Sequence, residues 1–112
     1  MMKETDMELK LGVLALLEAK PEKAAEVKGF LIGGKDVVDR EPGTRTWYAF
    51  QIDDTHFGIF DSFADEDARN AHLGGEIPKA LGQVGPDLLA RDPDLRTVDL
   101  LAVKHEEVGT RS

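Results

Sequence analysis

The sequence predicts an α+β fold of order β-α-β-β-α-β, and three observations carry that prediction. The stretch from Glu8, ELKLGVLALLEA, is nearly all apolar, as in a strand covered on both faces. Two runs rich in aromatic and β-branched residues, TRTWYAFQI (Thr44 to Ile52) and THFGIFDSF (Thr55 to Phe63), are separated only by Asp53-Asp54, as in a β-hairpin. Between and after these strands, apolar residues recur at steps of three and four, the period of a helix with one buried face.

In strand one, Leu9, Leu11, Val13, Ala15 and Leu17 share one parity and Gly12, Leu14 and Leu16 the other. Pro21 suits a first helical position, and Ala24, Val27, Leu31, Gly34 and Val38 continue a helix over about Pro21 to Asp39. Glu41-Pro42-Gly43 ends it, because Pro removes a donor and restricts the residue before it. In the hairpin, Asp-Asp fits a primed two-residue turn less well than Asp-Gly would. Asp65 is placed to cap a second helix, with Ala64, Ala68, Ala71, His72 and Gly75 on its apolar stripe and Gly74-Gly75 at its end. Pro78 and Pro86 are expected to open one or two further short helical turns, with Ile77, Leu81, Val84, Leu88 and Leu89 turned inward. After Asp92-Pro93, a last strand is expected from Leu95 to Lys104, alternating at first and wholly apolar at Leu100 to Val103. Residues before Leu9 and after Lys104 offer little to bury, so both ends are expected to fray. The whole chain, 1–112, reads as one domain with its core at about 8–104.

Connection rules fold this order into a ferredoxin-like, four-stranded antiparallel sheet with both helices on one face. Strands one to three are apolar on both parities, so the second face also needs a cover. A second copy of the chain, sheet against sheet, is the simplest cover, and a homodimer is expected.

Composition narrows the function. The 112 residues carry 14 Lys and Arg against 22 Asp and Glu, for a net charge of −8, and no Cys. An acidic chain without a basic stripe is not expected to bind nucleic acid, whose phosphates supply most of that affinity. Without Cys there is neither disulfide framework nor thiolate metal site. The longest unbroken apolar run, Val13 to Leu17, is far too short to span a bilayer, and no membrane association is expected. Lys3, Glu4, Asp6 and Glu8 stand where a signal peptide would be apolar, which points to the cytoplasm. What remains is a small molecule or a protein partner.

The segments EPGTRTWYAFQ and FGIFDSFADEDARNAHL carry a resemblance. They are similar to the antibiotic biosynthesis monooxygenase family of dimeric α/β-barrel proteins, with a Pro-Gly turn, an aromatic strand, a strand ending in an aromatic, an acidic helix start and a His-Leu helix end. The likeness covers about Leu9 to Lys104. It implies a homodimeric α/β barrel with a pocket between each sheet and its own helices, and chemistry of the cofactor-free oxygenase kind on a small aromatic, quinol or polyketide-like substrate. The alternative is a non-catalytic binding or stress-related module of the same fold. The haem-degrading branch of the family uses an Asn on strand one, a Trp at the end of strand three and a His on the second helical segment. No strand-one residue from Leu9 to Leu17 is Asn, and Phe63 stands in place of the Trp, so haem degradation is not expected.

His72 is the first candidate for chemistry. It lies about 40° from Ala68 on the helical wheel, facing the sheet, and an imidazole can take a proton near neutral pH. A cofactor-free oxygenase needs such a base, because deprotonating a phenol or activated C–H creates an anion that can pass an electron to O₂. The bland alternative is a His hydrogen-bonded at the helix end beside Gly74. Asp61, on the parity of Phe63, is a second proton acceptor. Arg45, on the parity of Trp47, can hold an enolate or carboxylate oxygen, or else pair with Asp61 across the hairpin. Trp47, Tyr48 and Phe63 belong to an aromatic cluster suited to a flat ring, although Trp47 and Tyr48 must point to opposite faces. Gly29, Gly33 and Gly34 are costly inside a helix, and the Gly29/Gly33 strip is expected to face the hairpin and admit a ligand or the backbone of a partner copy, or else to mark a kinked or interrupted helix. His56 is expected to be solvated, and Asn70 to point away from the stripe. No metal-ligand spacing, phosphate loop or Ser-centred nucleophile motif is present, so no cofactor or metal is expected.

Overall fold

The structure is a computed structural model that describes residues 9–104. Its strands are β1 (Leu11–Glu18), β2 (Thr46–Gln51), β3 (His56–Phe63) and β4 (Asp94–Asp99). Its helices are α1 (Ala24–Val38), led by a 3-10 turn at Pro21–Lys23, then α2 (Glu66–Leu73) and α3 (Glu76–Leu88). The sheet order is β2-β3-β1-β4 with every pair antiparallel, which is the ferredoxin-like arrangement expected. The expectation of frayed ends concerns residues 1–8 and 105–112, which lie outside the described residues.

Register decides which residues share a face. Trp47 lies opposite Asp61, Asp61 opposite Val13, and Val13 opposite Thr97, so these four form one row across the sheet. The next row on the same face is Ala49, Ile59, Ala15 and Leu95. Val13, Ala15, Leu17, Phe57, Ile59 and Phe63 on this face are buried, as are Val27 and Leu31 of α1 and Ile77, Leu81 and Leu88 of α3. Each large side chain among them contributes roughly 1.5–3 kcal/mol by leaving water. Asp61 is buried on the same face, where an unpaired carboxylate would cost more than any one of these gains.

Four expectations about elements are corrected. The hairpin connection is not a two-residue turn but a loop over 52–55, in which Asp53 Oδ1 accepts from the amides of Thr55 at 3.0 Å and His56 at 2.9 Å. An Asp that bonds its own downstream backbone makes this loop without the left-handed backbone a primed turn demands. Second, Pro78 and Pro86 do not open separate turns. Both lie within the 13-residue helix α3, Pro78 in its first turn, where amides lack intrahelical partners anyway. Third, β4 ends at Asp99, because its partner β1 begins at Leu11, the residue opposite Asp99. Leu101 is left 96% exposed. Fourth, Gly29 and Gly33 are exposed and meet nothing, so they do not face the hairpin. Gly34 does, on the stripe that carries Val27, Leu31 and Val38. A Cβ there would lie 3.3 Å from the Trp47 ring. No helix among the described residues is long and apolar enough to cross a membrane.

Candidate active site

The site begins where β3 hands over to α2. Asp65 Oδ1 accepts from the Ala68 amide at 2.8 Å and caps α2, so the helix starts at a fixed rotation. Two turns on, His72 faces the sheet, and its ring stacks obliquely on Phe63 with centroids 5.4 Å apart. His72 Nε2 lies 2.9 Å from Asp61 Oδ2, and Nδ1 lies 2.7 Å from Glu41 Oε1. Thr44 donates its hydroxyl to the same Glu41 oxygen at 2.9 Å. The three side chains grade from interior to surface: Asp61 is 2% exposed, His72 5% and Glu41 23%.

Burial by itself disfavours a charged imidazole. Here the hydrogen bonds to Asp61 and Glu41, together with their negative charges, outweigh that cost and hold His72 above its ordinary pKa. A neutral ring has one donor and one acceptor nitrogen, whereas both nitrogens here face carboxylates. The cluster therefore holds either an imidazolium or a proton on one of the carboxyl groups.

His72 separates two hollows. On the sheet side, a cavity of about 250 Å³ lies beneath α2 and α3, walled by Val13, Trp47, Ile59 and Ile77 with Asp61 and His72. In this wall Trp47 Nε1 and Asp61 Oδ1 are buried and have no hydrogen-bond partner among the described residues. On the other side of the ring, a cleft of about 360 Å³ is lined by Arg40, Glu41, Thr44, Ala71 and Glu76 together with His72. A donor and an acceptor buried without partners beside an apolar cavity would suit a ligand with a flat apolar body and polar oxygen at one end.

The residues singled out in the sequence separate in the structure. His72, Asp61 and Trp47 come together at the cavity. Phe63 is fully buried behind the imidazole and supports it from below. Tyr48 lies on the opposite face of the sheet, 57% exposed. Arg45 is exposed and lines an outer hollow with Leu31, Lys35 and Asp39, and the Arg45–Asp61 pair does not form: Asp61 is buried with its Oδ2 on His72. Gly33 is at the surface, and Gly34 borders Trp47 in its place. His56 is exposed beside the loop, bonded to Asp53.

Glu41 is the member of this hydrogen-bonded cluster that sequence reasoning missed. It was visible only as part of a helix-stopping turn, and its contact with a residue 31 positions away leaves no periodic signal. The available hint was a carboxylate in a Pro-Gly turn that precedes an aromatic strand.

Among solved structures, that of a protein of unknown function from Nitrosomonas europaea is 40% identical to this chain, with a TM-score of 0.85, over 88% of this chain and 95% of the other. A candidate antibiotic biosynthesis monooxygenase from Caulobacter crescentus matches at 23% identity and a TM-score of 0.72, over 89% and 99% of the two chains. Another, from Deinococcus radiodurans, matches at 16% identity and a TM-score of 0.72, over 86% and 97%. At those lower identities the likeness is one of fold. No family model matches the sequence, and no curated protein matches it.

Proposed function

From the premise that this chain belongs to one family with the Nitrosomonas europaea protein and has the fold of the antibiotic biosynthesis monooxygenases, we propose that it is a cofactor-independent monooxygenase of small aromatic or quinol-type molecules. One observation carries the reading: a hydrogen-bonded Asp61–His72 pair in the wall of an apolar cavity, with the second oxygen of Asp61 unpartnered. An apolar cavity of about 150 Å³ holds one benzene, so about 250 Å³ has room for one or two fused rings.

The chemistry needs only a base and O₂. Asp61, backed by His72, takes the proton of a phenolic hydroxyl, and the phenolate passes an electron to O₂. The oxygen species then recombines at a ring C–H position. One oxygen atom stays as a carbonyl and the other leaves as water, so phenol plus O₂ gives quinone plus water, with atoms and electrons balanced. In this reading Trp47 Nε1, buried without a partner among the described residues, donates to the ligand oxygen that becomes electron-rich. Phe63 holds the imidazole from behind. We place the protein in the cytoplasm, as a homodimer closed over the free face of the sheet.

The test is oxygen uptake with a panel of hydroquinones and hydroxynaphthalenes, with no flavin, haem or metal added. His72→Ala and Asp61→Asn should each slow turnover by about 100-fold or more, the scale of a lost general base. Turnover unchanged in both variants would refute this assignment. Ligand binding without oxygen uptake in the native protein would establish the non-catalytic module instead.

A further inference from the structure

We propose that Glu41 is the proton outlet of this site, so that His72 exchanges its Nδ1 proton with water through Glu41 and the outer cleft. The inference builds on the oxygenase reading and assigns a role to a residue outside the substrate cavity. Asp61 is walled off from solvent at 2% exposure and meets the ligand cavity, while Glu41 at 23% exposure borders the outer cleft. Among the described residues His72 is the one side chain bonded to both carboxylates, at 2.9 and 2.7 Å, and it lines both hollows. Thr44 fixes the Glu41 carboxylate by a hydrogen bond to the oxygen that faces the ring.

The need for an outlet follows from charge. With His72 as imidazolium, the three groups carry one net negative charge. When a ligand O–H bond breaks and the proton joins Asp61 Oδ1, that carboxylate no longer holds the imidazolium in place. The Nδ1–H bond then breaks toward Glu41 Oε1, and Glu41 passes the proton to water in the cleft. One proton enters the cluster, one leaves it, and no electron moves between these groups. When the second oxygen atom leaves as water it takes the proton back from Asp61 Oδ1, and Glu41 returns one proton from the cleft to Nδ1, which restores the imidazolium between two carboxylates. The charged groups around His72 are Asp61 on the cavity side, and Glu41 with Arg40 and Glu76 on the cleft side.

Glu41→Gln keeps an acceptor for the ring and cannot carry a proton. In nitrogen-15-labelled protein, exchange of the His72 ring N–H protons with water should slow by about tenfold or more in this variant. Glu41→Ala opens space beside Nδ1, and added formate, but not chloride, should restore the native exchange rate there. Under turnover, Glu41→Gln should lower kcat with KM unchanged. Exchange as fast as native in Glu41→Gln, or no response to formate in Glu41→Ala, would overturn the outlet. If the native protein consumes no oxygen with any aromatic, the oxygenase reading falls, and the exchange comparison still decides the outlet.

Discussion

An imidazole set between two carboxylates links the protonation of this site to the stability of the fold. His72 titrates above its ordinary value in the folded protein, because its bonds to Asp61 and Glu41 outweigh the cost of burial. In the unfolded chain it returns to about 6.5. A raised folded value means that the folded state binds the proton more tightly. The stability this adds is complete below about pH 6.5 and is lost as pH rises through the folded value. Urea unfolding of the native protein should therefore show a midpoint that falls as pH rises above about 6.5, and His72→Gln should remove most of that fall. Parallel pH profiles for the two proteins would mean that the cluster stores no such free energy. His72 and Asp61 were legible singly, as a His on an inner stripe and an acid within an apolar strand. Their pairing was not, since Arg45 was an equally good partner by parity and only the packed rotation of α2 decides between them.

Helix α1 shows where element-level reading holds and where it fails. Val27, Leu31, Gly34 and Val38 lie on one stripe at helical spacing, and the structure turns that stripe to the sheet. The expected Gly29/Gly33 strip lies off this stripe, so the periodicity already contained the correction. The strand order was equally legible, because alternating and continuous apolar runs report burial directly. Boundaries were less so: the length of β4 is set by where β1 begins, and the single helix α3 by Ile77, Leu81 and Leu88 packing on one core. Neither constraint is local in sequence. Two substitutions test the α1 assignment by opposite signs. At Gly33, exposed and with open space around it, Ala should stabilise the protein by about 0.5–1 kcal/mol through helix propensity. At Gly34, whose added Cβ would meet the Trp47 ring at 3.3 Å, Leu should overpack the contact and cost about 1–3 kcal/mol, while displacing Trp47 from the cavity wall. Thermal unfolding of both variants checks this, and a Gly34→Leu protein as stable as the native one would show that α1 is turned otherwise.

At the scale of the whole molecule, the free face of the sheet sets the assembly. Tyr48, Phe60 and Leu14 form one row on that face, and Phe50, Gly58 and Leu16 the next. The Phe50 ring lies across Gly58, leaving no room for a side chain there. Even so, Tyr48 remains 57% exposed, Phe50 37% and the neighbouring Ile52 59%. Among the described residues no helix covers it, since α1 and α3 bury their apolar residues in the core on the opposite face. An apolar sheet face of this kind, bounded on β4 by Arg96 and Asp94, would suit an interaction surface, and a second copy would offer a matching one across a two-fold axis. Sedimentation of the native protein at micromolar concentration should therefore show a dimer. Tyr48→Glu should leave the fold intact, because the side chain is exposed within one subunit, yet it would bury two unpaired charges in the two-fold contact. A cost of several kcal/mol for such charges weakens association by about 100-fold or more. A native monomer at that concentration, or an unaltered dimer in Tyr48→Glu, would place the contact elsewhere and leave this face to another partner.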